Sequence, residues 1–167
     1  MDKHQENFSR IYDDCVEKIY RYVFLRVSSK ETAQDLTSET FAKTWERFKK
    51  NPDDIANPRA FLYKTAKNLV IDHYRTKAKI QTVSPELVQD ILVDPKINFE
   101  QKAVLASDME GVRKALAGLN EDYQNAIIWH YLDDLPIKDV SHLLDRSEEA
   151  TRVLLHRAMK ELRTRLA

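Results

Sequence analysis

Six basic residues stand between Arg59 and Ile80 (Arg59, Lys64, Lys67, Arg75, Lys77 and Lys79) against the single acid Asp72. Tyr63 and Tyr74 lie among them, with Phe61 close by. Cations that hold phosphates, beside rings on which bases stack, make a single-strand nucleic-acid surface, each stacked base being worth ~1–3 kcal/mol. At helical spacing Lys64, Asn68, Asp72, Arg75 and Lys79 share one stripe. A plainer reading keeps Phe61 in a core, leaves Tyr63 and Tyr74 open between core and surface, and gives Asp72 and His73 structural tasks.

A second row of donors closes the chain. Glu149, Arg152, His156, Lys160 and Arg163 recur at helical intervals, with one acid near the start of the row. Spacing alone suits a solvated face as well as a DNA-binding one. The preceding residues favour DNA. Val140, Leu143 and Leu144 give a short helix its inner face, and Asp145 suits a left-handed turn position. Ser147 then caps a longer helix whose buried side carries Leu155, Ala158, Met159, Leu162 and Leu166, joined by Val153 or Leu154. A short helix, a tight turn and a capped helix form a helix-turn-helix, whose second helix enters the major groove of duplex DNA.

A third group is acidic. Asp35 and Glu39 stand four apart, a mildly repulsive pairing on an isolated helix, next to Phe41, Trp45 and Glu46. Phe41 and Trp45 have core spacing, and an acidic row beside aromatics suggests a docking face for a basic partner.

Catalytic constellations are not apparent. The doublets Asp53-Asp54, Glu121-Asp122, Asp133-Asp134 and Glu148-Glu149 are sequence neighbours, which diverge on a helix. The five histidines show no metal-binding spacing. The one cysteine, Cys15, cannot form an internal disulfide or a cysteine zinc site, which suits a reducing cytosol. Only two glycines occur, Gly111 and Gly118, too few for a dinucleotide fingerprint, and the six residues between them do not fit the four of a P-loop. The expectation is a binding protein without enzymatic activity, metal or cofactor.

The elements that must position these groups are helical. Phe8, Ile11, Tyr12, Cys15, Val16, Ile19, Tyr20, Val23, Phe24 and Val27 make one long apolar stripe, with Cys15 read as a small buried hydrophobe. Ser28 with Glu31 reads as a capping box, opening a helix that carries Ala33, Leu36, Thr40, Phe41, Thr44, Trp45 and Phe48. Asn57 and Pro58 start a third helix, ending near Lys79. Periodicity then fails from 80 to 102, where Pro85 and Pro95 interrupt a mostly acidic segment. This reads as a linker, with a short helical turn between Leu87 and Leu92. Beyond it Leu105, Met109, Val112, Leu116 and Leu119 mark a helix closing near Gly118. Asn120 caps another, which buries Tyr123, Ile127 and Tyr131. The expected fold is all-α: two small helical domains, 1–79 and 103–167, joined by a flexible linker.

The chain has 167 residues, with Lys plus Arg and Asp plus Glu both at 27, so its formal charge is zero. A neutral chain cannot coat nucleic acid as a polycation; polyanion binding must be local. No apolar run approaches the roughly 18 residues of a membrane span, and MDKHQENF does not read as a signal peptide.

These residues resemble a known family. Ala33-Gln34-Asp35-Leu36-Thr37-Ser38-Glu39-Thr40-Phe41-Ala42-Lys43-Thr44-Trp45 is similar to the region-two segment of extracytoplasmic-function sigma factors, in the sigma-70 superfamily. Asn57 to Leu62 and Asn68 to Arg75 look like the segment that follows it, and Leu119 to Leu166 resembles region four. The resemblance covers nearly the whole chain, in order.

It implies a cytoplasmic transcription initiation factor that recruits core RNA polymerase to promoter DNA. Asp35, Glu39, Phe41 and Trp45 would grip the clamp helices of the beta-prime subunit. The loop from Lys50 to Pro58, with Arg59, Tyr63, Lys64, Lys67, Asn68, Tyr74, Arg75 and Lys79, would melt and read the minus-ten element as single strand. Ser147, Arg152, His156, Arg157 and Lys160 would read the minus-thirty-five element as duplex. An anti-sigma factor is the implied inhibitor. One departure stands out: where family members often show Gly-Thr-Val and a Ser-Arg pair, this chain has Glu149-Ala150-Thr151 and Val153-Leu154. Glu149 repels phosphate, and Val153 and Leu154 replace polar readers. A helix-turn-helix regulator acting without polymerase, or a degenerate relative that only binds an anti-sigma partner, are the alternatives.

Overall fold

A computed structural model describes residues 3–81 and 107–166. Among these residues there are seven α-helices and no strand. The chain divides into two compact units, Met1–Asp94 and Pro95–Ala167. Of the segment read as a linker, 80–102, residues 80 and 81 still belong to the third helix, and the rest, with its helical turn at 87–92, lies outside the described residues, as do 103–106 of the expected second domain.

The first unit is built from α1 (Lys3–Val27), α2 (Lys30–Lys50) and α3 (Pro58–Gln81), which pack pairwise against one another. The last turns of α1 run between the other two helices, so every residue from Tyr22 to Val27 is buried. A helix enclosed on several sides is apolar nearly all round there, Arg26 being the charged exception, and amphipathic elsewhere. Each large apolar side chain fully buried this way contributes about 1.5–3 kcal/mol. Tyr22 meets Tyr63 of α3 with ring centroids 5.9 Å apart. The Tyr74 hydroxyl donates to the Arg26 carbonyl, tying α3 to the end of α1. Cys15 is buried as expected.

The join between α1 and α2 differs by one residue from the capping-box reading. Ser28 takes φ 55°, a left-handed conformation, and its N–H bonds back to the Phe24 carbonyl at 2.8 Å, ending α1. Ser29 is therefore the cap, its side chain accepting from the Thr32 N–H at 3.3 Å. Asn57 caps α3 as expected, Oδ1 accepting from the Ala60 N–H at 3.1 Å.

The second unit comprises α4 (Ser107–Ala117), α5 (Glu121–Ile127), α6 (Ile137–Leu144) and α7 (Glu148–Leu166). Helices α4, α5 and α6 each pack against α7. Asn120 caps α5 through the Tyr123 N–H at 2.9 Å. The helix then widens into a π turn over Ile128–Leu132, closed by the Asp133 N–H to the Ile128 carbonyl at 2.9 Å. This widening buries Trp129 completely and turns Tyr131 outward to 49% exposure, correcting the expectation that Tyr131 is core. The His130 Nδ1–H donates to the Leu135 carbonyl at 2.8 Å and fastens the turn.

Candidate nucleic-acid and partner interfaces

On α3 the basic cluster separates into two arcs. Lys64, Asn68, Asp72 and Arg75 lie along one exposed stripe. Lys79 continues that stripe by register, its side chain lying outside the described residues. Arg75 and Asp72 approach to 4.0 Å, with both side chains mostly exposed. The other arc turns inward. Tyr63 is 1% exposed, so the sequence expectation that it stacks on an unpaired base is corrected: its ring is core, packed on Tyr22. Tyr74 is half-buried, with its hydroxyl already engaged on α1. Arg59, Lys67 and Lys77 are half-buried on the same arc, and burial lowers the Lys77 pKa. Phe61, expected in the core, is only half-buried.

Ahead of α3 the loop from Asn51 to Asn57 contains one 3-10 turn, Pro52–Asp54, and is anchored by buried Ile55. Asp54 pairs with Arg47 of α2 at 3.6 Å. At the foot of α3, Arg59 lines a cavity of about 380 Å³ with Asp14, Cys15 and Lys18 of α1.

On α2, Asp35 and Glu39 are exposed, and Glu39 pairs with Lys43 one turn on at 3.6 Å. Such a surface pair is worth less than about 1 kcal/mol and is readily exchanged for another partner. Phe41 is buried and Trp45 half-exposed. Phe8 of α1 fits between them and Phe48, its ring 5.1 Å from that of Trp45. Tyr12 reaches Phe41 at 4.8 Å while remaining 44% exposed. An open apolar groove of about 480 Å³ results, lined by Phe8, Tyr12, Phe41 and Trp45. Sequence reasoning missed it because Phe8 and Tyr12 fit the buried stripe of α1; the signal is that Phe41 and Trp45 repeat on α2 at the same interval as Phe8 and Tyr12 on α1.

In the second unit the turn between α6 and α7 is three residues long. Asp145 adopts φ 54°, ψ 45°, the left-handed geometry expected of it. The Ser147 side chain accepts from the Ala150 N–H at 3.1 Å. Arg146 Nη2 donates to Asp122 Oδ2 of α5 at 3.0 Å, holding the turn against the rest of the unit. Ser147, Arg152, His156, Arg157 and Lys160 are all exposed. Leu154 is 7% exposed and Val153 is 49% exposed. Leu154 therefore belongs to the core with Leu155, and the sequence expectation that it displaces a polar reader is corrected; Val153 alone stands on the exposed face. Leu166, at the end of the helix, is exposed rather than core.

Among the described residues no group of His, Cys, Asp and Glu side chains is arranged to hold a metal ion. No described helix is long and apolar enough to cross a membrane.

Residues 11–80 match the family model described as Sigma-70 region 2, and residues 109–162 match Sigma-70, region 4. The ECF RNA polymerase sigma factor BldN of Streptomyces coelicolor is 28% identical over 158 residues, an alignment covering 93% of this chain and 58% of that protein. The ECF RNA polymerase sigma factor SigM of Bacillus subtilis is 28% identical over 157 residues, covering 92% of this chain and 91% of that one. In fold the chain is similar to the sigma factor RpoE solved with the anti-sigma factor NepR from Bartonella quintana, with a TM-score of 0.75 at 17% identity, covering 96% of this chain and 97% of that one.

Proposed function

The chain belongs to the sigma-70 family, among its extracytoplasmic-function members, and from that premise we propose that it brings core RNA polymerase to particular promoters and stabilises their opening. It acts by binding, in the cytoplasm where polymerase works. The observation that carries the reading is that both family segments occur in order, each in its own compact unit, and each unit presents an exposed row of donors.

The division of labour follows from the surfaces. The α2 face with Asp35, Glu39 and Trp45, beside the aromatic groove, suits a basic amphipathic partner, namely the clamp helices of the polymerase beta-prime subunit. The exposed arc of α3, with Lys64, Asn68 and Arg75, suits the phosphates and edges of an opened minus-ten strand. The exposed face of α7, with Arg152, His156, Arg157 and Lys160, suits the major groove of the minus-thirty-five duplex. Held idle, the same α2 and α3 faces are the surfaces an anti-sigma factor would cover.

Run-off transcription with purified core polymerase on a promoter library tests the reading. The wild-type chain is expected to give discrete promoter-dependent transcripts. Trp45→Ala is expected to weaken polymerase association, and Arg75→Ala to reduce open-complex formation with association intact. A second reading, a relative that only captures an anti-sigma factor, is favoured by Glu149 at the start of α7; absence of any promoter-directed transcript would select it. Tight operator binding without polymerase would instead indicate a free-standing helix-turn-helix regulator.

A further inference from the structure

The exposed face of α7 carries one group that donors and charge do not explain. Val153 is 49% exposed, although Leu154 and Leu155 beside it are buried against the rest of the unit. A β-branched residue at an exposed helical position loses side-chain freedom without gaining packing. In the free chain about half of this side chain stays in solvent, so its packing is only partial. Its surroundings do suggest a use. Ala150 lies one turn earlier and is also exposed; Arg157 lies one turn later, and both line the same surface hollow as Val153, whose far wall is the start of α5 with Glu121, Asp122 and Tyr123. His156 and Lys160 follow at i+3 and i+7, so the apolar spot sits inside the row of donors rather than at its edge.

We propose that Val153, backed by Ala150, contacts the 5-methyl group of a thymine in the duplex that α7 reads, making Val153 a specificity-determining residue for one T·A pair. The inference rests on the proposed duplex-reading role of α7 and adds to it the chemistry of one position. In the major groove the thymine methyl is the one apolar group among the base edges, and small apolar side chains are what recognise it. Flanking cations on phosphates fix the register in which such a contact is made. A hydroxyl or guanidinium at this position would seek a base acceptor; an isopropyl group can only select a methyl.

The test uses the chain bound to core polymerase and a duplex recovered by that holoenzyme from a random library. Each thymine of the upstream duplex is replaced singly by deoxyuridine, which keeps every hydrogen-bonding group and removes only the methyl. Affinity is read by fluorescence anisotropy. For wild type, one substitution is expected to weaken binding about fourfold, the effect of burying a single methyl group. Val153→Ile should retain that sensitivity, and Val153→Ser should lose it while binding thymine and deoxyuridine duplexes alike. Because Val153 is exposed, neither variant disturbs the core. Indifference of wild type to every replacement, or an equal loss in wild type and Val153→Ser, overturns the methyl contact. Arg152→Ala and Arg157→Ala separate that failure from a deeper one. If they weaken duplex binding and flatten its salt dependence while uracil has no effect, only the methyl contact falls. If they change nothing, α7 does not lie in the groove, and the proposal falls with the role it rests on.

Discussion

His73 and Cys15 are each kept neutral by their surroundings, with opposite consequences for pH. On α3, burial pushes the His73 pKa down, and Lys77 one turn on pushes it the same way. The folded chain therefore favours neutral imidazole. The stability this contributes is present above the ordinary histidine value of about 6.5 and is lost as pH falls through the lower folded value. The urea midpoint of the wild type should drop between pH 7.5 and pH 5.5, and His73→Gln should remove a measurable part of that drop. An identical pH profile in the variant would place the effect on another group. Cys15 runs the other way. Burial raises its thiol pKa; Arg59 opposes this, Asp14 adds a smaller rise, and Lys18 lowers it least. Its contribution is intact at neutral pH and is lost as pH climbs past the ordinary thiol value. Since the thiolate is the reactive form, iodoacetamide should label Cys15 slowly in the native chain and at ordinary thiol rates in urea; fast native labelling would contradict its burial. Periodicity placed Cys15 correctly, inside the buried stripe of α1. It failed at Tyr63 because basic composition described the neighbourhood of α3 and not which arc of the helix each residue occupies.

At the scale of elements, the sequence was most legible where a single local interaction decides the outcome. Asn57, Asn120 and Ser147 each cap the helix they precede, because a short polar side chain there accepts an N–H that has no helical partner. Legibility was lost where a neighbour arbitrates. Ser28 and Ser29 are chemically alike, and which one caps α2 depends on where α1 stops. The π turn at Ile128–Leu132 accompanies the burial of Trp129 and the His130 bond to Leu135, neither visible as a period. The apolar groove between α1 and α2 likewise needs two helices placed side by side before it exists. The helix-turn-helix corner allows a quantitative check. Asp145 holds a left-handed conformation that costs most side chains about 1–2 kcal/mol. Asp145→Gly should leave the thermal midpoint of the second unit unchanged or raised, whereas Asp145→Val should destabilise it by at least about 1 kcal/mol. Ser147→Ala, which removes the cap of α7, should cost about 1 kcal/mol. Equal behaviour of the Gly and Val variants would mean that the corner is not held as described.

For the whole molecule, what matters is how a net charge of zero is distributed. Net charge alone would give no electrostatic capture of DNA, so binding must come from rows that are locally basic, and its strength must depend on the phosphates each row holds. On α3 the exposed arc offers Lys64 and Arg75 directly, while Arg59, Lys67 and Lys77 approach from the half-buried side. If about five phosphates of a single strand are held there, the logarithm of the association constant should fall with the logarithm of salt concentration at a slope of roughly −3.5. Replacing one phosphate-holding residue should flatten the slope by about 0.7. Titration of the full chain with a minus-ten oligonucleotide at several salt concentrations measures this. Lys64→Ala and Arg75→Ala are each expected to show the smaller slope. Lys114→Ala, an exposed cation of the other unit outside both donor rows, is expected to keep the wild-type slope. A slope near zero would mean that stacking or shape holds the strand. A slope equally sensitive to Lys114 would mean that charge acts through the chain as a whole, a result that a neutral molecule with segregated charge should not give.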